Sequence, residues 1–183
     1  MVDQNIQQAD DVNVEIQEIT DRPQSFINES THDVPMVALS ERVYRLYENI
    51  DEKDSEVCIL FVDDAEIKEL NAQWRNVDES TDVLSFPMRE GEDPKIAKQL
   101  PLGDIVISIE TAERYVESLS HKNRLEEAEI EGGCKVDNWT LLDELSFLVV
   151  HGTLHLLGYD HAEPEEEREM RRLEAEWFQK IRD

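Results

Sequence analysis

Cysteine is scarce in this sequence, long apolar runs are missing, and basic residues are heavily outnumbered by acidic ones. Two cysteines in 183 residues cannot build a disulfide framework. Cys58 lies within Val57-Cys58-Ile59-Leu60-Phe61-Val62, where a thiol serves as a small core side chain. Cys134, beside Gly132 and Gly133, has no partner thiol nearby, so neither cysteine is given a redox or metal-binding role. The apolar stretch 147–150 stops at His151, far short of the ~18 residues a membrane span needs. Met1-Val2-Asp3-Gln4 begins a polar segment with no basic cap ahead of an apolar stretch, as a secretory signal would have. The expected compartment is therefore the cytoplasm, with no membrane partner.

The shortage of positive charge bears directly on function. Lys and Arg number 18 against 44 Asp and Glu, a formal net charge of −26. Taken alone, that balance argues against a nucleic-acid partner, because phosphates are drawn to positive potential. The charge is uneven, however. Residues 1–35 hold eight acids (Asp3, Asp10, Asp11, Glu15, Glu18, Asp21, Glu29, Asp33) against only Arg22, whereas within 138–159 only Asp143 and Glu144 are charged. The second region is close to neutral, and a local site there can still accept phosphate.

Hydrophobic periodicity divides the chain into an expected disordered acidic tail, 1–11, and one domain, 12–183. Val12, Val14 and Ile16 alternate as in a half-buried strand, and further strands are expected at 56–62, 81–86 and 102–109. Helices are expected at 35–50, from the Asp63-Asp64 cap through Trp74, at 110–119, at 140–157 and at 163–182. The charged run within Lys122 to Glu131, followed by Gly132-Gly133, reads as an insertion adding little to the core. No internal repeat is visible. The expected class is α+β, a single domain in which a small mixed four-stranded sheet packs with about five helices, the most apolar of them central and buried.

Three of the five histidines fall in His151-Gly-Thr-Leu-His155-Leu-Leu-Gly158-Tyr-Asp-His161, at the end of that central helix. Positions four apart lie one turn above each other, so His151 and His155 can aim both imidazoles at one ion. Gly158 can take the left-handed conformation that ends a helix and let His161 return as a third ligand. Three neutral imidazoles suit zinc and leave a fourth position open, as catalytic zinc sites do. The bland alternative is a pair of histidines packed in the core, which accounts poorly for three at this spacing. Asp160 is a candidate to orient an imidazole, or equally a turn-stabilising residue. The spacing also matches metzincin proteases, but their general-base Glu follows the first His, and here that place is Gly152.

The run H-G-T-L-H-L-L-G-Y-D-H resembles the signature of the YbeY-type endoribonucleases, single-domain bacterial enzymes implicated in ribosomal RNA maturation. Leu70-Asn71-Ala72-Gln73-Trp74-Arg75, Thr81-Asp82-Val83-Leu84-Ser85-Phe86-Pro87 and Leu102-Gly103-Asp104-Ile105 are similar to the family's other blocks. The acidic N-terminal arm and the segment 121–138 depart from its compact pattern. The resemblance implies one zinc ion on His151, His155 and His161, with Arg75 and His151 as catalytic residues. It also implies single-strand-specific cleavage of ribosomal RNA in 16S rRNA 3′-end maturation and ribosome quality control. The small subunit and a ribosome-associated GTPase are the implied partners. Arg75 is chemically suited to phosphate, since a guanidinium offers a planar fork of donors; its alternative is a surface salt bridge to Asp78 or Glu79. Thr81 and Ser85 are at most pocket-lining, Asp104 has no derived role, and His32 and His121 are expected in solvated loops. Whether water or the 2′-hydroxyl attacks stays open. The rival readings are a metallopeptidase-like hydrolase and a non-catalytic, metal-stabilised module that docks on ribosomes.

Overall fold

The computed structural model describes residues 13–18 and 34–182, apart from 51, 53–54, 92–93, 98–99, 129 and 132. The expected disordered tail 1–11 and His32 lie outside these residues. A sheet runs through the middle of the fold in the order β1-β2-β4-β3, formed by β1 (Asn13–Glu18), β2 (Glu56–Val62), β3 (Val83–Pro87) and β4 (Gly103–Ser108). β1, β2 and β4 are mutually parallel, while β3 pairs antiparallel to β4 with Ser85 opposite Ile105 and Phe86 opposite Asp104. β3 is therefore an edge strand.

Alternation along the strands decides which layer covers which face. Val57, Ile59, Phe61, Val83, Ile105 and Ile107 point into the main core. On that face lie α1 (Met36–Asn49), α4 (Ile109–Ser118), α6 (Leu141–Leu156) and α7 (Pro164–Arg182). Val62, Leu84 and Val106 point the other way, onto Ile67 of α2 (Asp64–Arg75). α6 is the central helix: every residue from Asp143 to Val150 is buried, as its all-round apolar character requires. The α+β, single-domain class agrees with the sequence expectation.

Local chemistry fixes where the helices begin. Asp63 caps α2 in a capping box with Glu66, and Thr140 caps α6 in another with Asp143. Asp64, read together with Asp63 as the cap, serves a different purpose. Its carboxylate accepts from Ser108 at 2.6 Å and Thr111 at 2.7 Å and pairs with Arg114 at 2.8 Å, tying the start of α2 to α4.

The five expected helices correspond to α1, α2, α4, α6 and α7. Among the described residues two more occur, the short α3 (Pro94–Ala97) and α5 (Ser120–Glu126). α5 corrects the reading of 121–138 as an insertion that adds little to the core. Leu125, Cys134 and Val136 are buried in the same core as α6. The density of charge hid a period-two signal: Cys134 and Val136 alternate with exposed Lys135 and Asp137, so an extended segment turns two apolar side chains inward. Among the described residues no helix is long and apolar enough to cross a membrane.

Candidate metal centre

α6 comes unusually close to the sheet at the point where the histidines begin. A Cβ built on Gly152 would lie 2.9 Å from Ile105 Cγ2 and 3.1 Å from Ser85 Oγ. Any side chain there would have to push aside the Ile105 side chain and the Ser85 hydroxyl. That settles the physical meaning of the glycine following His151: the position of the metzincin general base is filled by the floor of the fold.

Four residues past His151, the helix presents His155 on the same face. The helix then ends in a Schellman motif, in which Tyr159 N–H donates to Leu154 O and Gly158 N–H donates to His155 O, both at 3.0 Å. Gly158 sits at φ +87°, the left-handed region where a side chain is strained. The chain turns back, and His161 faces the other two rings. Ring centroids are 4.7 Å apart for His151 and His155, 5.8 Å for His151 and His161, and 5.3 Å for His155 and His161. One nitrogen from each ring lies within 4.8 Å of the others. The three histidines singled out from the sequence are brought together.

The carboxylate that orients His151 is not Asp160. Asp160 accepts the backbone N–H of His161 at 2.8 Å and so stabilises the turn. The orienting group is Glu174 of α7, wholly buried, whose Oε1 lies 2.8 Å from His151 Nδ1. Arg124 of α5 grips the same carboxylate, donating from Nε to Oε2 at 2.6 Å and from a terminal nitrogen to Oε1 at 3.1 Å. Burial pushes the Glu174 carboxyl up, but the hydrogen bonds from His151 and Arg124 outweigh it and hold the group below its ordinary value of 4.5. An ionised Glu174 accepts a hydrogen bond from Nδ1–H, which turns the Nε2 atom of His151 toward His155 Nε2, 3.2 Å away. Burial, with the neighbouring His151 and His161, pushes His155 down to about 4. At neutral pH the His155 ring is therefore unprotonated, with a nitrogen lone pair to give. Such a donor set fits a borderline divalent cation.

Sequence reasoning missed Glu174 and Arg124. The signal was present for the first: Glu174 interrupts the apolar stripe Met170, Leu173, Trp177, Ile181, and a carboxylate inside a buried stripe needs a partner.

His121 is also placed differently from expectation. It lies on α5, not in a solvated loop, stacked between Tyr115 at 4.5 Å and Phe147 at 4.4 Å. Its Nδ1 bonds to buried Glu144, and its Nε2 is 3.6 Å from Asp82. Two carboxylates and two aromatic faces outcompete solvent for that ring.

Arg75 ends α2, on the opposite side of the sheet from α6. It is exposed and makes no hydrogen bond or ion pair among the described residues. Asp78, one of the acids considered for it, pairs with Lys68 at 3.4 Å. Ser85 lies under Gly152, and Thr81 donates to Asp82. Asp104 sits at the start of β4, where burial pushes its carboxyl up.

The family model described as endoribonuclease YbeY matches residues 25–182, which include every residue of this centre. The chain belongs to the YbeY family. Curated relatives agree. An endoribonuclease YbeY of Heliobacterium modesticaldum is 41% identical over 131 residues, covering 67% of each chain. That of Pelotomaculum thermopropionicum is 45% identical over 126 residues, covering 68% of this chain and 70% of its own. That of Caldicellulosiruptor bescii is 37% identical over 139 residues, covering 72% and 77%. A Thermotoga maritima protein of known solution structure shares the fold, with a TM-score of 0.54 at 24% identity over 93% of this chain and 88% of that one.

Proposed function

We propose that this protein is a metal-dependent endoribonuclease that cuts single-stranded stretches of ribosomal RNA, with the 3′ end of 16S rRNA as its processing site and a part in ribosome quality control. The observation that carries the reading is the convergence of His151, His155 and His161 behind a buried, ionised Glu174, in a chain of the YbeY family. The catalytic unit is the domain 12–183, with 1–11 as an acidic tail. The cytoplasm is its compartment, and the small ribosomal subunit and a ribosome-associated GTPase are its partners.

One zinc ion per chain is the cofactor that three neutral imidazoles suit best. When bound, it supplies Lewis acidity toward a phosphate oxygen and acidifies water. His151 is the ligand held most firmly, because Glu174 and Arg124 fix its ring from behind. Arg75, exposed and with no partner among the described residues, is the residue assigned to the phosphate; from the far side of the sheet its long side chain has to reach round the edge strand β3 to stabilise the charge that builds in the transition state. Peptide cleavage is the poorer reading, since Gly152 has no room for a general base.

The test is cleavage of a single-stranded oligoribonucleotide and of a peptide by one zinc-loaded preparation, with and without chelator. RNA cleavage lost on chelation and in His155→Ala is the expected result. Arg75→Ala is expected to keep the metal and the melting temperature while losing about 100-fold in rate, the scale of removing one transition-state donor. Peptide cleavage, or RNA cleavage indifferent to chelator, would overturn the proposal. In cells, mapping the small-subunit rRNA 3′ end with a His155→Ala copy tests the processing step.

A further inference from the structure

Trp74 is the most exposed large apolar side chain among the described residues, at 62%. Its ring is nonetheless held: it meets Phe86 edge-on, with centroids 5.8 Å apart and planes at 69°. The residue that follows is Arg75, a guanidinium with no partner among the described residues. An open indole face and an open cation thus sit side by side at the end of α2.

Phe86 links this pair to the histidines. It lies on the edge strand β3, beside Ser85, whose hydroxyl sits under Gly152 on the other face. The Phe86 carbonyl closes over Gly103, where a Cβ would come within 2.2 Å of it and within 2.8 Å of Leu156, the neighbour of His155. The indole and the histidine-bearing helix therefore lie on opposite faces of one edge strand, the first against Phe86 and the second against its neighbour Ser85.

We propose that Trp74 is a stacking platform for an unpaired nucleobase of the RNA substrate, with Arg75 taking a phosphate beside that base. The inference deepens the endoribonuclease reading and rests on it. A chain with a net charge of −26 repels polyphosphate over most of its surface, so its affinity has to come from short-range contacts. Base–aromatic stacking is such a contact: it needs no net charge and accepts any base. It also demands a free base face, which a nucleotide inside a duplex does not offer. A preference for single strands follows from one side chain.

The experiment compares zinc-loaded wild type, Trp74→Phe and Trp74→Leu on a single-stranded oligoribonucleotide, with indole emission followed during titration. Trp74→Leu keeps an apolar contact with Phe86 but removes the aromatic face. Loss of one stack is expected to raise its KM about ten-fold while kcat stays within about two-fold, and Trp74→Phe is expected to keep most of the affinity. Wild-type emission should be quenched by the single strand and hardly at all by a blunt duplex, and Trp74→Phe should lose the quench. The other two indoles, buried Trp139 and half-buried Trp177, emit in both wild type and Trp74→Phe, so the quench that the variant loses belongs to Trp74. A Trp74→Leu enzyme with unchanged KM, a fall in kcat accompanied by a lower melting temperature, or equal quenching by duplex would overturn the proposal. If wild type cleaves no RNA, the endoribonuclease reading fails, and the quench still decides whether Trp74 stacks on a base.

Discussion

Glu174 carries more of the candidate centre than its distance from the histidine motif suggests. A carboxylate with no exposed surface is tolerated because His151 and Arg124 both hydrogen-bond it. Replacing it by Gln keeps the shape and removes the charge that holds the Nδ1 proton of His151. Zinc affinity is expected to fall about 10- to 100-fold, the usual effect of losing the group that orients a ligand histidine. A chelator competition series measures it. Glu174→Ala is a worse variant for the purpose, since it strands the Arg124 guanidinium beside an apolar core. An unchanged affinity in Glu174→Gln would mean that packing alone orients the ring.

At the scale of elements, the contact between α6 and β4 sets what the motif can be. Adding one methyl at Gly152 drives it into Ile105, so Gly152→Ala is expected to destabilise the fold by about 1–3 kcal/mol, the cost of overpacking a filled core. Urea denaturation checks it, and a neutral result would show that the helix can ride up from the sheet. The same elements show what could be read beforehand. α6 and α7 were legible because their apolar positions follow the helical period over many residues, and the histidine trio because i, i+4 spacing plus a helix-ending glycine is local geometry. α5 was not legible, since its seven residues carry a single buried apolar position, Leu125, amid charge. The partnership of Glu174 with His151 joins residues 23 apart, and the tie from Arg124 spans 50, distances at which no periodic pattern speaks. His121 was misplaced for the same reason: its partners Glu144 and Asp82 arrive from other elements.

For the molecule as a whole, acidity acts on stability through groups buried around the core. His155 in the folded chain titrates at about 4, below its ordinary 6.5. Between those values the unfolded chain takes up a proton that the folded chain refuses, so stability falls as pH falls. Glu174 and Asp143 are both held below their ordinary carboxylate values. Their contribution is complete above those ordinary values and is lost as pH falls through the lower native ones. Neutralising surface acids acts in the opposite sense, by relieving repulsion. In about 0.5 M salt that repulsion is largely screened, and the buried groups decide the outcome. The melting temperature of the metal-free protein in such salt is expected to drop from pH 7 to pH 4, and His155→Ala to flatten the upper part of the slope. A flat wild-type profile would place His155 in contact with solvent.

Because α7 follows all three histidines in the chain, translation finishes the ligands before it makes the group that aligns His151. Removing α7 would therefore leave the three histidines in place in the sequence but without the carboxylate that fixes the His151 ring. The centre is thus a property of the closed fold: local unfolding that releases α7 removes the brace of His151 and the grip of Arg124 in one event.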